Sequence, residues 1–151
     1  MELEKEIHQV KPFRNEYHKA AVNLIFTGKW ILQFHSDVFK KYKLTLQQYN
    51  ILRILRGRYP APVKVKLIRE RMLDRMSDAS RIIEVLRKKG LLERSIRETD
   101  RRSMDVVITI SGIKLLEKMD EKENEKMDEY LTTLDKKEIE KLNFLLDKLR
   151  R

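Results

Sequence analysis

Apolar side chains recur at helical spacing in the first third of the chain, which predicts one long amphipathic helix over about residues 11–42. Its apolar positions are Phe13, Tyr17, Ala20, Ala21, Leu24, Ile31, Phe34 and Val38. A second helix is predicted to begin at the capping sequence 45–48 and to end near Gly57. The segment 59–62 contains two prolines, which remove amide donors, so it predicts a loop.

The middle of the chain predicts two short helices separated by a turn. The first covers Lys64 to Met72, the turn lies around Asp74, and the second helix runs to Lys89. Gly90 suits the left-handed position that follows a helix. One face of the second helix is apolar, formed by Met76, Ala79, Ile82, Ile83 and Leu86. Its polar side chains are directed outward by the same spacing, namely Ser77, Asp78, Ser80, Arg81 and Glu84.

A β-hairpin is predicted to follow this helix pair. Residues 91–97 and 104–110 have the composition of strands, and the tip between them is charged. In the second strand Val106, Ile108 and Ile110 alternate on one side. A helix pair followed by a basic hairpin is the order of a winged helix-turn-helix, in which one helix enters the DNA major groove and the hairpin reaches flanking DNA.

Helical periodicity returns in the last third of the chain. Ser111 is predicted to cap one helix and Asp135 a final one. The segment 120–126 has no apolar residue and is expected to be exposed. The predicted fold class is therefore mainly α with a small β-hairpin wing, flanked by N-terminal and C-terminal helices.

Basic charge is concentrated in the middle of the chain. The formal net charge is +10, and residues 53–102 alone carry 16 Lys+Arg against 7 Asp+Glu, a net charge of +9. Residues 1–52 carry +3 and residues 103–151 carry −2. Arginine dominates the middle segment, and its planar guanidinium suits phosphates and base edges. This distribution favours double-stranded DNA as the partner over a membrane surface.

Several classes of function are disfavoured by what the 151 residues lack. There is no cysteine, so no disulfide, thiolate nucleophile or cysteine-ligated zinc is expected. No apolar run is long enough for a membrane span and the first residues do not resemble a signal peptide, which predicts a cytoplasmic protein. No phosphate loop, paired carboxylates or catalytic triad is recognisable, so we expect neither an enzyme nor a cofactor. The histidines His8, His18 and His35 lack partners at metal-ligand spacing, and no metal is expected.

Three motifs in this order resemble the MarR (multiple-antibiotic-resistance regulator) family of bacterial transcription factors. They are Leu44-Thr45-Leu46-Gln47-Gln48-Tyr49, the run Ser80-Arg81-Ile82-Ile83-Glu84-Val85-Leu86-Arg87-Lys88-Lys89-Gly90-Leu91, and the triplet Asp100-Arg101-Arg102. The resemblance implies one MarR-like domain over residues 1–151, with a winged helix-turn-helix at about 44–110. It also implies a homodimer formed by helices within about 1–43 and 111–151. The chain departs from the family's frequent Leu-Thr-x-x-Gly after the wing, where it has Ile110-Ser111-Gly112.

Candidate DNA-binding residues lie in the helix pair, the wing and its strands. They are Lys64, Lys66, Arg75, Ser77, Asp78, Ser80, Arg81, Arg94, Arg97, Asp100, Arg101 and Arg102. Asp78 has two interpretations, since it could accept a hydrogen bond from a cytosine amino group or stabilise the helix N-terminus. Arg81 could form an ion pair with Glu84 or Asp78 on its own helix, but its outward position in the most basic segment favours a contact with DNA.

Further alternatives concern the wing and a small-molecule site. Arg101 and Arg102 could be solvated charges, but the family resemblance implies that Asp100 braces the neighbouring arginine for the minor groove.

Trp30, Phe34 and Tyr49 could line the effector pocket that many family members have, or could belong to the core.

The leading hypothesis is a homodimeric, sequence-specific transcriptional regulator that binds a pseudo-palindromic operator and is released by a small molecule. It could be a repressor or an activator, and a repressor is favoured. An architectural protein that binds DNA without sequence preference is the alternative, and its affinity would fall steeply with salt on every sequence. A winged-helix module that binds only proteins is disfavoured, since it has no need of the +9 charge in residues 53–102.

The wing hypothesis makes a direct prediction. Replacing Arg102 by alanine should weaken operator binding by about 1–3 kcal/mol, because the arginine is expected to contact a base edge or a narrow minor groove. Titration of a labelled operator duplex measures this change. Unchanged affinity of Arg102→Ala would count against a role for the wing.

Overall fold

The computed structural model describes the backbone of residues 2–95 and 105–151 and, outside residues 95 and 121–131, their side chains. Helices dominate it, and three short strands form one sheet. In chain order the elements are α1 (Leu3–Glu6), α2 (Glu16–Lys41), α3 (Leu46–Arg56), β1 (Val63–Lys64), α4 (Val65–Arg71), α5 (Ala79–Lys88), β2 (Leu92–Ser95), β3 (Asp105–Ile108), α6 (Ile110–Leu131) and α7 (Lys136–Leu149). The predicted class, mainly α with a small β-hairpin wing, is confirmed.

The chain divides into two compact units, residues 1–46 and 47–151. The first contains α1 and the long α2, which confirms the predicted N-terminal helix. This helix begins at Glu16 rather than near residue 11, because the side chain of Asn15 caps it by accepting from the His18 amide at 2.9 Å. Lys19 of α2 lies 2.6 Å from Glu4 of α1, so an ion pair joins the two helices.

The second unit is organised around an antiparallel sheet in the order β1-β3-β2. Leu92 pairs with Ile108 and Ser95 with Asp105, as the predicted hairpin requires. Strand β1 was not predicted, since residue 64 was assigned to the start of a helix. It pairs Val63 with Val106. Two residues are too few to show the alternation that reveals a strand from sequence.

The core of the second unit joins α3, α4, α5 and α6 to the sheet. Its fully buried side chains are Ile51, Leu52, Leu55, Ile68, Ile83, Leu86, Leu92, Val106, Ile108, Leu116 and Met119. The predicted apolar face of α5 is right for Ile83 and Leu86 but wrong for Met76, which is 94% exposed because it precedes the first turn of the helix. Ile110 is also exposed, because it begins α6 instead of continuing β3.

The junction between β3 and α6 is built around Thr109, not around the predicted cap Ser111. The Thr109 hydroxyl accepts from the Gly112 amide at 3.1 Å and donates to the Gly90 carbonyl at 2.8 Å. The Thr109 amide donates to the Leu91 carbonyl at 3.1 Å. Gly90 has a φ of +69°, which confirms its predicted left-handed position after α5. The end of α5 and the start of α6 are therefore hydrogen-bonded to each other.

An ion-pair cluster joins α6 to α3. Asp120 lies 2.6 Å from Arg56 Nη1 and 3.5 Å from Arg53 Nη1, and it accepts from the Tyr49 hydroxyl at 3.1 Å. The prediction that residues 120–126 are exposed is thus wrong for Asp120, whose side chain is only 22% exposed. The basic residues of α3 explain this difference, because they compensate a carboxylate that the local sequence gives no reason to bury.

The last helix confirms its predicted cap. Asp135 accepts from the Glu138 amide at 2.9 Å, and Glu138 accepts from the Asp135 amide at 2.8 Å, which is a complete capping box. No residue of α7 is buried, although the helix carries a stripe of leucines. Among the helices in the described ranges, none has both the length and the apolar character to cross a membrane.

The junction between β3 and α6 predicts that one added methyl group lowers the free energy of unfolding. A Cβ on Gly112 would lie 2.3 Å from the Leu91 carbonyl oxygen and 2.7 Å from Ile108 Cγ1. Gly112→Ala should therefore lower the free energy of unfolding by about 2–3 kcal/mol, measured by urea denaturation. Gly28→Ala in α2 is the matched control, since a Cβ there meets nothing within 4 Å. This control should gain about 0.5–1 kcal/mol from helix propensity, and equal stability of the two variants would contradict the analysis.

Candidate nucleic-acid interface

Helix α5 carries the outward polar face that the sequence predicted. Asp78 is its N-cap, and its Oδ1 accepts from the Arg81 amide at 3.1 Å. Of the two interpretations of Asp78, the stabilising contact with the helix N-terminus is present in the structure. Asp78, Ser80 and Arg81 are exposed and Ser77 is half-buried.

The turn between α4 and α5 is fixed by two side chains. Asp74 accepts from the Met76 amide at 3.0 Å and from the Ser77 hydroxyl at 2.6 Å. The Ser77 hydroxyl and the Met76 amide hold the pKa of Asp74 below its ordinary value, so the carboxylate stays ionised at neutral pH. Asn50 of α3 accepts from the Leu73 amide at 3.0 Å. These bonds anchor the turn at both ends.

Helices α4 and α5 are also joined through the predicted DNA-binding residue Ser80. Arg69 of α4 donates from Nη2 to the Ser80 hydroxyl at 3.0 Å. This contact fixes one helix of the pair relative to the other. It also occupies one guanidinium group of the basic helix pair.

Glu84 connects the recognition helix α5 to the first wing strand. It accepts from Arg87 Nε at 3.0 Å and Nη2 at 2.8 Å, and from Arg94 Nη2 of β2 at 3.0 Å. The Arg87 hydrogen bonds are the main reason that the pKa of Glu84 lies below its ordinary value. Arg81 was named from the sequence only as one possible ion-pair partner of Glu84. The spacing to Arg87 was readable along the helix, whereas the contact with Arg94 depends on where β2 packs.

Four of the predicted DNA-binding cations lack such partners and define a basic surface, which we call the free cations. They are Lys64, Lys66, Arg75 and Arg81, all exposed. None of them forms an ion pair with any carboxylate in the described part of the chain. Of the two interpretations of Arg81, the one in which it forms an ion pair with Glu84 or Asp78 is therefore not found in the structure. Much of the basic charge of the helix pair remains available to a polyanion.

The tip of the wing lies outside the described residues. This applies to Arg97, Asp100, Arg101 and Arg102, whose DNA contacts stay predictions. Of the predicted wing residues, only Arg94 is described, and it contacts Glu84.

The aromatic residues proposed for an effector pocket have different surroundings. In the first unit, Trp30 is 46% exposed, and the ring of the half-buried Phe34 lies 5.6 Å from that of His35. In the second unit, Tyr49 is buried, donates to Asp120 and accepts from Arg53 Nη1 at 2.8 Å. Their role in binding an effector stays a prediction.

Comparison with known proteins identifies the family of this helix pair and wing. The sequence model of the MarR family matches residues 44–104. The HTH-type transcriptional regulator PecS of Dickeya dadantii (strain 3937) is 30% identical over 117 residues, which cover 76% of this chain and 69% of PecS. The chain belongs to the MarR family. It is accordingly a transcriptional regulator with a DNA-binding winged helix and not an enzyme.

Solved MarR-family structures have the same fold. A MarR transcription factor from Planctomyces limnophilus is 28% identical, with a TM-score of 0.70 over 90% of this chain and 98% of that protein. A mutant MarR from E. coli, solved in complex with operator DNA, is 19% identical, with a TM-score of 0.77 over 92% of this chain and 99% of that protein. At such low identity the second comparison supports the fold alone.

The Glu84 contacts predict how a charge change alters DNA binding. Glu84→Gln should release Arg87 and Arg94 for phosphate contacts, so affinity for a duplex of arbitrary sequence should rise and depend more steeply on salt. Each added phosphate contact steepens the slope of log K against log salt by about 0.9. The slope follows from titrations at several salt concentrations.

Glu70→Gln is the charge-matched control, since Glu70 is exposed on α4 and has no ion-pair partner in the described ranges. It removes the same negative charge without releasing an arginine. Equal salt slopes for the two variants would show that the Glu84 contacts do not restrain Arg87 and Arg94.

Proposed function

We propose that this MarR-family regulator is a homodimeric repressor that binds specific double-stranded DNA at a pseudo-palindromic operator. The observation that carries the proposal is the set of free cations beside and on α5, a helix whose N-terminus and preceding turn are fixed by hydrogen bonds. A helix held in this way can present side chains to base edges without a large loss of conformational freedom on binding.

Positioning and reading of the DNA fall to different residues in this proposal. Lys64, Lys66 and Arg75 neutralise phosphates, which fixes the helix on the duplex without carrying sequence information. Arg81 reads a base edge, with guanine the favoured partner of an arginine fork. Ser77 and Ser80 add hydroxyl contacts near the start of α5. Arg97, Asp100, Arg101 and Arg102 are the wing residues of the same proposal. Arg94 belongs to it as well, although its guanidinium group is bonded to Glu84 in the structure.

Dimerisation is supported by apolar surface on the terminal helices. The large apolar side chains exposed on α7 are Leu142, Phe144, Leu145 and Leu149. Those exposed on α2 are Tyr17, Leu24, Ile25, Trp30 and Leu32. Apolar patches of this kind mark interaction surfaces in soluble proteins, and a second copy of the chain would bury them. Two-fold symmetry would then place half-site centres roughly 10 bp apart or a multiple of it.

The E. coli MarR mutant was solved in complex with operator DNA. We extend operator binding to the present chain because the free cations lie on and beside its recognition helix. Release by a small molecule is part of the proposal. It requires an effector that binds the DNA-free conformation more tightly, since equal affinity for both states shifts nothing. Trp30, Phe34 and Tyr49 are each candidates for contact with the effector.

Selection from a random duplex pool at about physiological salt tests this proposal. We expect enrichment of a two-fold symmetric motif, because a dimer presents two copies of α5. Binding without an enriched motif would contradict the proposal and favour an architectural protein, whose affinity comes from counterion release alone. No binding at all would contradict both.

Two variants in the same selection experiment test whether Arg81 reads a base. Arg81→Ala should reduce discrimination at one position in each half-site, because the base contact is lost. Lys136→Ala removes the same charge from an exposed site at the start of α7 and should leave the motif unchanged. If both variants enrich the same motif as the native chain, Arg81 does not read a base.

A further inference from the structure

Two large apolar side chains are exposed in the turn between α4 and α5. Leu73 is 80% exposed and Met76 is 94% exposed. Most of the other large apolar side chains that are exposed in the described ranges belong to the terminal helices or to loops outside the helix pair. Met76 lies two residues before Asp78, the cap of the recognition helix. A hydrated apolar side chain at that place is available to whatever approaches α5.

Met76 is exposed because hydrogen bonds fix the backbone on both sides of it. Its amide donates to Asp74 Oδ1 at 3.0 Å, and the next residue, Ser77, donates its hydroxyl to the other oxygen of the same carboxylate at 2.6 Å. Asn50 holds the beginning of the turn through the Leu73 amide. Because these bonds fix the backbone on both sides, Met76 cannot reach the core without breaking them.

The charge around the turn indicates which kind of partner would contact Met76. Arg75 and Arg81 are exposed and without ion pairs to the described residues, and Lys66 lies on the preceding helix. The acidic residues Asp74 and Asp78 have their carboxylates engaged with backbone amides. A partner that is strongly anionic but offers an apolar group fits this surface. In the DNA major groove, the C5-methyl of thymine is that group.

We propose that Met76 is a specificity-determining residue whose side chain packs against the C5-methyl group of a thymine in the major groove. The inference rests on the proposed operator binding and assigns one base to it. Methionine suits the role because its unbranched, flexible thioether adapts to a small apolar target. The contact adds preference for thymine at a position adjacent to the bases that α5 contacts.

Replacement of thymine by deoxyuridine tests this contact, since it removes the methyl group and nothing else from the base. The selected operator is made with each thymine replaced in turn, in both half-sites. For the native chain, one symmetric position should lose affinity roughly fourfold per half-site, as expected for one buried methyl group. In Met76→Ala the same replacement should have no effect, because the side chain that contacts the methyl group is absent.

Leu73→Ala is the matched control, as it truncates the other exposed apolar side chain of the same turn. It should keep the native response to deoxyuridine. Thermal unfolding of both variants confirms that the turn is intact, and their salt slopes should equal that of the native chain, because no phosphate contact changes.

The outcomes separate this inference from the function on which it rests. If no symmetric motif is enriched, operator binding and the thymine contact both fail. If a motif is enriched but no thymine is sensitive to loss of its methyl group, only the role of Met76 is overturned. The same holds if Met76→Ala keeps the native sensitivity.

Discussion

The close approach of α6 to the end of α5 is the constraint on which the DNA-binding module depends. At Gly112 the backbone lies so near the Leu91 carbonyl that no side chain fits between them. Thr109 completes the contact by bonding to both Gly90 and Gly112. The recognition helix therefore ends in a backbone junction that also begins the long helix α6. Since Asp120 joins α6 to α3, both ends of the module are fixed relative to the same helix. Any change in the direction of α6 would consequently move α5.

Carboxylates have a structural role within the basic surface. Asp74, Asp78 and Glu84 lie in its midst, yet each accepts hydrogen bonds that shape the turn, the helix start or the contact with the wing strand. The Ser77 hydroxyl and the Met76 amide lower the pKa of Asp74, and the Arg87 hydrogen bonds are the main cause of the lowered pKa of Glu84. Their contribution to stability is therefore present above the ordinary carboxylate pKa and is lost as the pH falls through the lowered one. The net positive charge of this region is thus divided between arginines that hold carboxylates and cations that remain available to DNA.

Local sequence determined much of this architecture, and its limits have physical causes. Caps such as Asp78 and the glycine at residue 90 were readable, because capping and left-handed backbone depend on a few adjacent residues. The cap at Thr109 was missed because β3 ends at Ile108 and α6 begins at Ile110. With one residue between them, the strand and helix periodicities run into each other. Strand β1 was too short to show alternation. The contact between Glu84 and Arg94 was unpredictable for another reason, since it depends on the packing of β2 beside α5. Arg81 was correctly placed outward, but which arginines are paired depends on tertiary contacts.

Methylation interference on a selected duplex that carries guanines in both half-sites tests the central claim most directly. Dimethyl sulfate modifies guanine N7, which lies in the major groove, and adenine N3, which lies in the minor groove. If α5 enters the major groove at each half-site, methylation of guanine N7 at symmetric positions should block binding. Interference confined to adenine N3, with none at guanine N7, would contradict the assignment of α5 as the helix that reads the DNA.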